Sequence, residues 1–286
     1  MSREFMLPES MPPEPSIDPE AIARELFSAY ETGQIVESPP SNRPGFSLDA
    51  AYAVEARLQQ FREAAGHKSI GCKVGYANKA MWRVLKLETL VWGHMYDDTV
   101  HYANGNSAAL TVTRPRSLKI EPEIVFGIKH PIMNQVIDAA LALASVEWLA
   151  LGFEIIDCPF PAWKFQPSDF VASFGLHAAL VIGEKIQIQP DLIPKLVDEL
   201  PRFKVRMLKN GESVEEGSGR NSLKSPALCL AELGAAINRR FPSHPLGAGE
   251  IVSSGTLTAG HPTGKGDMWT AQVEGISLPS LRLRLT

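Results

Sequence analysis

The chain has 286 residues, 44% of them hydrophobic and 21% charged, with a formal net charge of −4. That supplies one substantial core plus an appended segment, and it argues against nucleic acid or an anionic membrane as the main partner. The three cysteines, Cys72, Cys158 and Cys229, lie far apart, which argues against a disulfide framework or a zinc knuckle and for a reducing cytoplasm.

Residues 1–16 are rich in Pro and Glu and lack the apolar core of a signal peptide, so a disordered tail is expected there. A helical segment over 17–67 follows. Asp18 can cap a first helix, Pro19 suits its first position, and Ile22, Leu26 and Tyr30 recur on one face. After a Pro-rich loop (Gly33 to Phe46), Ser47 opens a second helix with Ala51, Val54, Leu58 and Phe61 on one side, and Gly66 ends it. From Lys68 to the end the texture is that of a β domain. Short apolar runs separated by turn residues predict strands at Ile70–Val74, Ile120–Ile128, Trp148–Ile156, Ala178–Ile182, Phe203–Leu208, Glu250–Ser254, Trp269–Val273 and Leu281–Leu285. Helices interrupt near Asn134–Ala144 and Pro226–Arg239. The apolar stretch Ala139–Ile156 carries Glu147 and Glu154 and reads as a buried helix and strand, not a membrane span. Strand and helix do not alternate regularly, so the fold class is α+β with a mostly antiparallel β core.

Two glycine-rich segments are set aside as phosphate loops. Gly264-Lys265-Gly266 lacks the Walker spacing, and Gly217-Ser218-Gly219 lacks the third glycine. The informative segment is Ile120-Glu121-Pro122-Glu123-Ile124-Val125-Phe126. Strand alternation puts Glu121 and Glu123 on one face, where they repel unless a positive charge lies between them. Pro122 cannot donate a ladder hydrogen bond, which predicts an edge or a mouth. Glu154 stands in the apolar run Trp148–Asp157, where a carboxylate must be paired or ligated. Carboxylates without nearby Cys or His suit a hard ion such as Mg²⁺, with Mn²⁺ also fitting. Ion pairing, with Glu154 against an Arg, is the competing explanation. Lys73, between Gly71 and Gly75, either meets a ligand or sits on a strand surface.

Five stretches together resemble the fumarylacetoacetate hydrolase superfamily, and within it the 2-keto-4-pentenoate hydratase and 4-oxalocrotonate decarboxylase branch. They are Gly71-Cys72-Lys73-Val74-Gly75, Glu121-Pro122-Glu123-Ile124-Val125-Phe126, Phe153-Glu154-Ile155-Ile156-Asp157, Gly219-Arg220-Asn221-Ser222-Leu223-Lys224-Ser225-Pro226, and Gly249 to Thr256 continuing to Gly266-Asp267. They keep the family's order over roughly residues 20–286. The resemblance implies a rolled β core with small N-terminal helices, an oligomer built from dimers, and Mg²⁺ or Mn²⁺ held by Glu121, Glu123 and Glu154. It also implies that Lys73 lies in the active site, that Thr256 approaches the carboxylate end of a small 2-oxo or 2-enol acid, and that Asp97 and Asp98 belong to a loop near the pocket. The implied reaction is hydration of a 2-hydroxy-alka-2,4-dienoate in aromatic catabolism. Other readings are decarboxylation of a 2-oxo-dioate, for which no extra Arg is evident, carbon–carbon hydrolysis of an acylpyruvate, or a lapsed partner subunit.

The chain departs from the family pattern at Ala172-Ser173-Phe174-Gly175-Leu176-His177-Ala178, where relatives carry Asp-Asn-x-Ser-Ser, and at Pro159, where they carry Arg. A less polar or bulkier substrate is expected from Phe160, Trp163, Phe174 and Leu176. His177 is either a replacement acid or base or a packed core histidine. His94 is a further candidate of the same kind.

Overall fold

The computed structural model describes residues 17–133 and 138–286. The expected tail over 1–16 and the start of the expected helix, 134–137, lie outside the described residues. Helix α1 (Pro19–Thr32) starts where Asp18 accepts from the backbone N–H groups of Glu20 and Ala21, and it ends at Gly33 in the left-handed conformation. Helix α2 (Leu48–Ala64) is capped by Ser47 and buries Ala51, Val54 and Leu58. Its inner face also carries Glu55 and Arg62, each buried and ion-paired to the sheet, with His94 and Asp98 respectively.

The chain then runs through β1 (Ser69–Gly75), α3 (Lys79–Leu85), β2 (Val91–Tyr96), β3 (Val100–Tyr102), β4 (Ser107–Leu110) and β5 (Leu118–Ile128). Next come α4 (Ala139–Ala144), β6 (Val146–Asp157), α5 (Pro167–Ala172), β7 (His177–Ile182), β8 (Ile186–Gln187) and α6 (Ile193–Glu199). The last third holds β9 (Lys204–Lys209), β10 (Glu212–Ser218), α7 (Pro226–Arg240), β11 (Ile251–Thr256), β12 (His261–Pro262), β13 (Met268–Glu274) and β14 (Leu281–Leu285). No helix among the described residues is long and apolar enough to cross a membrane.

All eight predicted strands are present. Strand β10 went unpredicted because Glu212, Glu215 and Glu216 hide any apolar alternation at the sheet edge. Its signal was the turn: Asn210 and Gly211 both have positive φ, the two-residue hairpin geometry that Asn-Gly favours. The short helices α3, α5 and α6 also escaped the periodicity search.

The larger sheet runs β2-β1-β11-β5-β6-β7-β3, with β12 added to β5 and β8 to β6. The smaller runs β10-β9-β13-β14-β4. Most pairs are antiparallel, and β1/β11, β3/β7 and β14/β4 are parallel. The centre of the core is the long β5/β6 pair, whose Ile124, Phe126, Leu151, Phe153 and Ile155 are fully buried.

At Pro122 the edge alternative is corrected, because β5 is a central strand, while the neighbouring Glu121 and Glu123 do open onto a cavity. The missing donor of Pro122 coincides with a break in the β11 register between Ser253 and Thr256. There Gly255, at φ 89°, turns its N–H away from the ladder and onto the Glu123 carboxylate, and Leu257 N–H closes the gap onto Pro122 O at 2.9 Å. A proline inside a sheet is tolerated at such a bulge.

Gly71 has φ 147°, and a Cβ there would lie 1.8 Å from the Ile251 carbonyl oxygen. Gly71→Ala is therefore expected to wedge β1 from β11. Urea unfolding should show a loss of more than about 3 kcal/mol, as for strain at a special backbone position plus overpacking. A change below about 1 kcal/mol would mean that the strands separate without penalty.

Candidate metal centre and active site

Glu121 on β5 stands opposite Glu154 on β6 in the antiparallel register, and Glu123 follows on the same face of β5. Oxygen atoms of all three carboxylates lie within 4.8 Å of one another. Glu123 and Glu154 are buried, and Glu121 opens onto a cavity of about 750 Å³. Lys73 comes from β1, three strand positions from β6, which is roughly 14 Å on a flat sheet. The roll of the sheet closes that distance. Lys73 Nζ lies 3.0 Å from Glu154 Oε2, donates to the Gly175 carbonyl at 3.0 Å and sits 4.8 Å from the centre of the Phe170 ring.

Each carboxylate has its own support. Glu123 Oε2 accepts from Ser253 Oγ at 2.6 Å and from Gly255 N at 2.8 Å. Glu154 Oε1 contacts His177 Nδ1 at 3.0 Å. Glu121 has room because Gly260 faces it: a Cβ there would sit 2.8 Å from Glu121 Oε1.

Burial pushes Glu121 up to about 7, against the pull of Lys73. Burial, then Glu154 and Glu121, drive Glu123 well above the carboxylate range. Burial also opposes ionisation of Glu154, but Lys73 and His177 outweigh it and hold Glu154 low. For Lys73, burial alone would lower the pKa, and the surrounding carboxylates, Glu154 foremost, reverse that and raise it.

The residues fit a divalent cation. Three carboxylates against one ammonium leave two negative charges when all are ionised. Glu154 Oε2, within ion-pair distance of Lys73, lacks an aligned hydrogen-bond donor although it is buried. The donors are all hard oxygens, and each buried carboxylate has one oxygen held from behind, leaving the other to face the centre. If Ser253 aims Glu123 in this way, Ser253→Ala is expected to weaken Mn²⁺ binding by about 10- to 100-fold while folding is kept. Calorimetric titration with MnCl₂ measures it, and unchanged affinity would assign Ser253 to packing alone.

Thr256 pairs with Glu123 across the sheet and lines the cavity. Asp97 is not brought there. It follows β2 at the end remote from Lys73, where its carboxylate accepts from Lys68 N, and it clusters with His67 and Asp98 on the surface. Strand β2 runs antiparallel to β1 with Gly93 opposite Lys73, so Asp97 lies four residues, or about 13 Å, from the Lys73 level. His177 stands behind Glu154. Its Nε2 contacts Thr99 Oγ1 at 3.1 Å, and it borders a second cavity, lined also by Arg62 and His101. His94 is paired to Glu55 away from both cavities. Of the bulky residues expected in the pocket, Trp163 and Leu176 line it, while Phe160 is buried elsewhere and Phe174 packs on Tyr30 and Tyr96. Sequence reasoning missed Phe165, Phe170 and Lys119. It also left no Arg for a second carboxylate, yet Arg220 and Lys224 line the cavity.

No family model matches the chain. It is 26% identical over 263 residues to 2-hydroxyhexa-2,4-dienoate hydratase of Comamonas testosteroni, covering 92% of this chain and 96% of that protein. It is also 26% identical over 262 residues to 4-oxalocrotonate decarboxylase of Pseudomonas sp. (strain CF600), covering 92% and 95%. Among solved structures, 4-oxalocrotonate decarboxylase from Pseudomonas putida G7, complexed with magnesium and adipate, superposes with a TM-score of 0.83 at 24% identity, covering 94% of this chain and 97% of that one. The rolled mixed sheet with its N-terminal helices is thus a fumarylacetoacetate hydrolase-like α+β fold. Over nearly its whole length the chain is thus similar to the hydratases and 4-oxalocrotonate decarboxylases of the fumarylacetoacetate hydrolase superfamily.

Proposed function

We propose that the protein is a divalent-metal-dependent hydratase that adds water to a 2-hydroxy-alka-2,4-dienoate and yields a 4-hydroxy-2-oxo acid. The observation that carries the reading is the Glu121–Glu123–Glu154 group with Lys73 against it, at the floor of a cavity. These three carboxylates would hold Mg²⁺ or Mn²⁺. The ion, when bound, supplies Lewis-acid stabilisation of enolate charge on a chelating 2-oxo acid.

The chain's own residues do the rest. Lys73 keeps its proton, since the carboxylates around it raise its pKa, and it stands as a fixed positive charge where enolate charge develops. One of its hydrogens goes to the Gly175 carbonyl, and the ammonium faces Glu154 Oε2 as an ion pair at 3.0 Å, so donor capacity remains for a substrate oxygen. His177 orients Glu154 from behind and does not meet the substrate. Thr256 and Gly255 form the wall beside Glu123, against the carboxylate head. Phe170 and Leu176 keep water from the carbon chain.

A second reading, decarboxylation of a 2-oxo-dioate, is favoured by one observation: Arg220 and Lys224 line the same cavity with no acidic partner among the described residues. For acylpyruvate hydrolysis, no histidine among the described residues lines the cavity to activate water. The test is a proton NMR time course with 2-hydroxypenta-2,4-dienoate and Mg²⁺ beside an EDTA control. Metal-dependent formation of 4-hydroxy-2-oxopentanoate is expected. Ketonisation at the control rate, together with loss of CO₂ from a 2-oxo-dioate, would replace the first reading by the second.

A further inference from the structure

The cavity is larger than a five-carbon dienoate needs. At about 750 Å³ it falls in the range that encloses drug-sized ligands. One side of its wall is apolar, with Trp163 and Phe165 half-buried and Phe170 and Leu176 deeper in, while Lys79, Arg220 and Lys224 are exposed elsewhere on its rim. We infer that the substrate carries an apolar, planar tail beyond its 2-oxo acid head, and that Trp163 selects it. The inference rests on the head-group reading above.

Trp163 is built into this place. Its indole N–H donates to Ser117 Oγ at 2.7 Å, Lys119 Nζ lies 3.9 Å from the ring centre, and the Phe165 ring follows at 6.4 Å. Ala162 and Trp163 are both left-handed, at φ 51° and 57°, a conformation that side chains other than glycine avoid. Two strained residues in succession are kept at the point where the indole meets the cavity, as strain is kept at ligand-binding sites.

Strand β5 also sets the distance. Ser117, Lys119, Glu121 and Glu123 alternate onto one face, so the Lys119–Trp163 pair lies about 7 Å outward from Glu121. A 2-oxo acid whose head is held at the carboxylates reaches Trp163 with its fourth to sixth carbon.

Magnitudes decide between an apolar and an anionic tail. Arg220 and Lys224 are exposed, and an exposed ion pair contributes at most about fivefold in affinity. Covering a phenyl ring contributes roughly 10- to 100-fold.

The experiment is calorimetric titration of the Mg²⁺-loaded full chain with three ligands sharing one head: 2-oxopentanoate, 5-phenyl-2-oxopentanoate and 2-oxohexanedioate. The phenyl compound is expected to bind about 30-fold tighter than 2-oxopentanoate. Trp163→Ala should bring that ratio within about threefold, and Trp163→Phe should keep most of it, with circular dichroism confirming that both variants fold. The inference is overturned if the dioate binds tightest, if phenyl and propyl tails bind alike, if Trp163→Ala leaves the preference intact, or if none of the three binds. Tight phenyl binding without metal-dependent hydration in the NMR assay would remove the hydratase reading and leave the tail preference standing.

Discussion

Glu123→Gln is expected to abolish metal-dependent turnover and to weaken Mn²⁺ binding by at least about 100-fold, since losing a ligand costs more than losing its support. The amide oxygen can still accept from Ser253 and Gly255, so the local backbone has no reason to move. The metal-free variant should be at least as stable as the metal-free parent, because burial and two neighbouring carboxylates oppose the Glu123 charge. Thermal unfolding with and without MnCl₂ separates these effects. For the parent, metal at 100 times its dissociation constant should add about 2.7 kcal/mol, and for Glu123→Gln at the same concentration that increment should fall to about 0.4 kcal/mol or less. A variant that still gains the full increment would show that the ion, if bound, lies elsewhere.

The second large effect is expected at Lys73. Lys73→Met keeps the length and apolar bulk of the side chain but leaves Glu154 Oε2 and the Gly175 carbonyl facing no cation. Breaking a buried pair costs about 3–5 kcal/mol, and urea unfolding of the metal-free protein should show a loss near the lower figure, because Glu154 can take up a proton. Added Mg²⁺ should recover part of this stability, since it restores positive charge among the carboxylates. The rate constant kcat should not recover and should remain about 10²- to 10⁴-fold below the parent. Lys73→Arg is not expected to rescue it. Gly175 and Gly93 pack too closely there, with a Cβ on Gly175 meeting Lys73 Cδ at 2.8 Å, and a planar guanidinium cannot occupy the ammonium position. Full activity in Lys73→Met with bound metal would reduce this residue to a structural counter-ion.

Much of the local structure is legible in the residues. Asp18, Ser47 and Gly33 mark helix ends by capping chemistry that needs no tertiary contact. The period-two alternation of β5 and β6 marks strands, and it places Glu121 beside Glu123 on one face. The segments passed over are mostly short, like α3, or polar at an edge, like β10, but the buried six-residue strand β2 was passed over as well.

The candidate site divides along the same line. By itself the sequence determined that two carboxylates share a face and that Glu154 stands in an apolar strand, because both follow from side-chain alternation and hydropathy within one segment. Only the tertiary structure decided the pairing that sets Glu154 opposite Glu121 and the roll that carries Lys73 from β1 to β6. It also decided that His177 stands behind the carboxylates and that Asp97 lies at the far end of β2. These are matters of register and curvature between strands distant in sequence. They are set by how whole sheet faces bury against helices, a global packing condition that no single stretch of residues encodes.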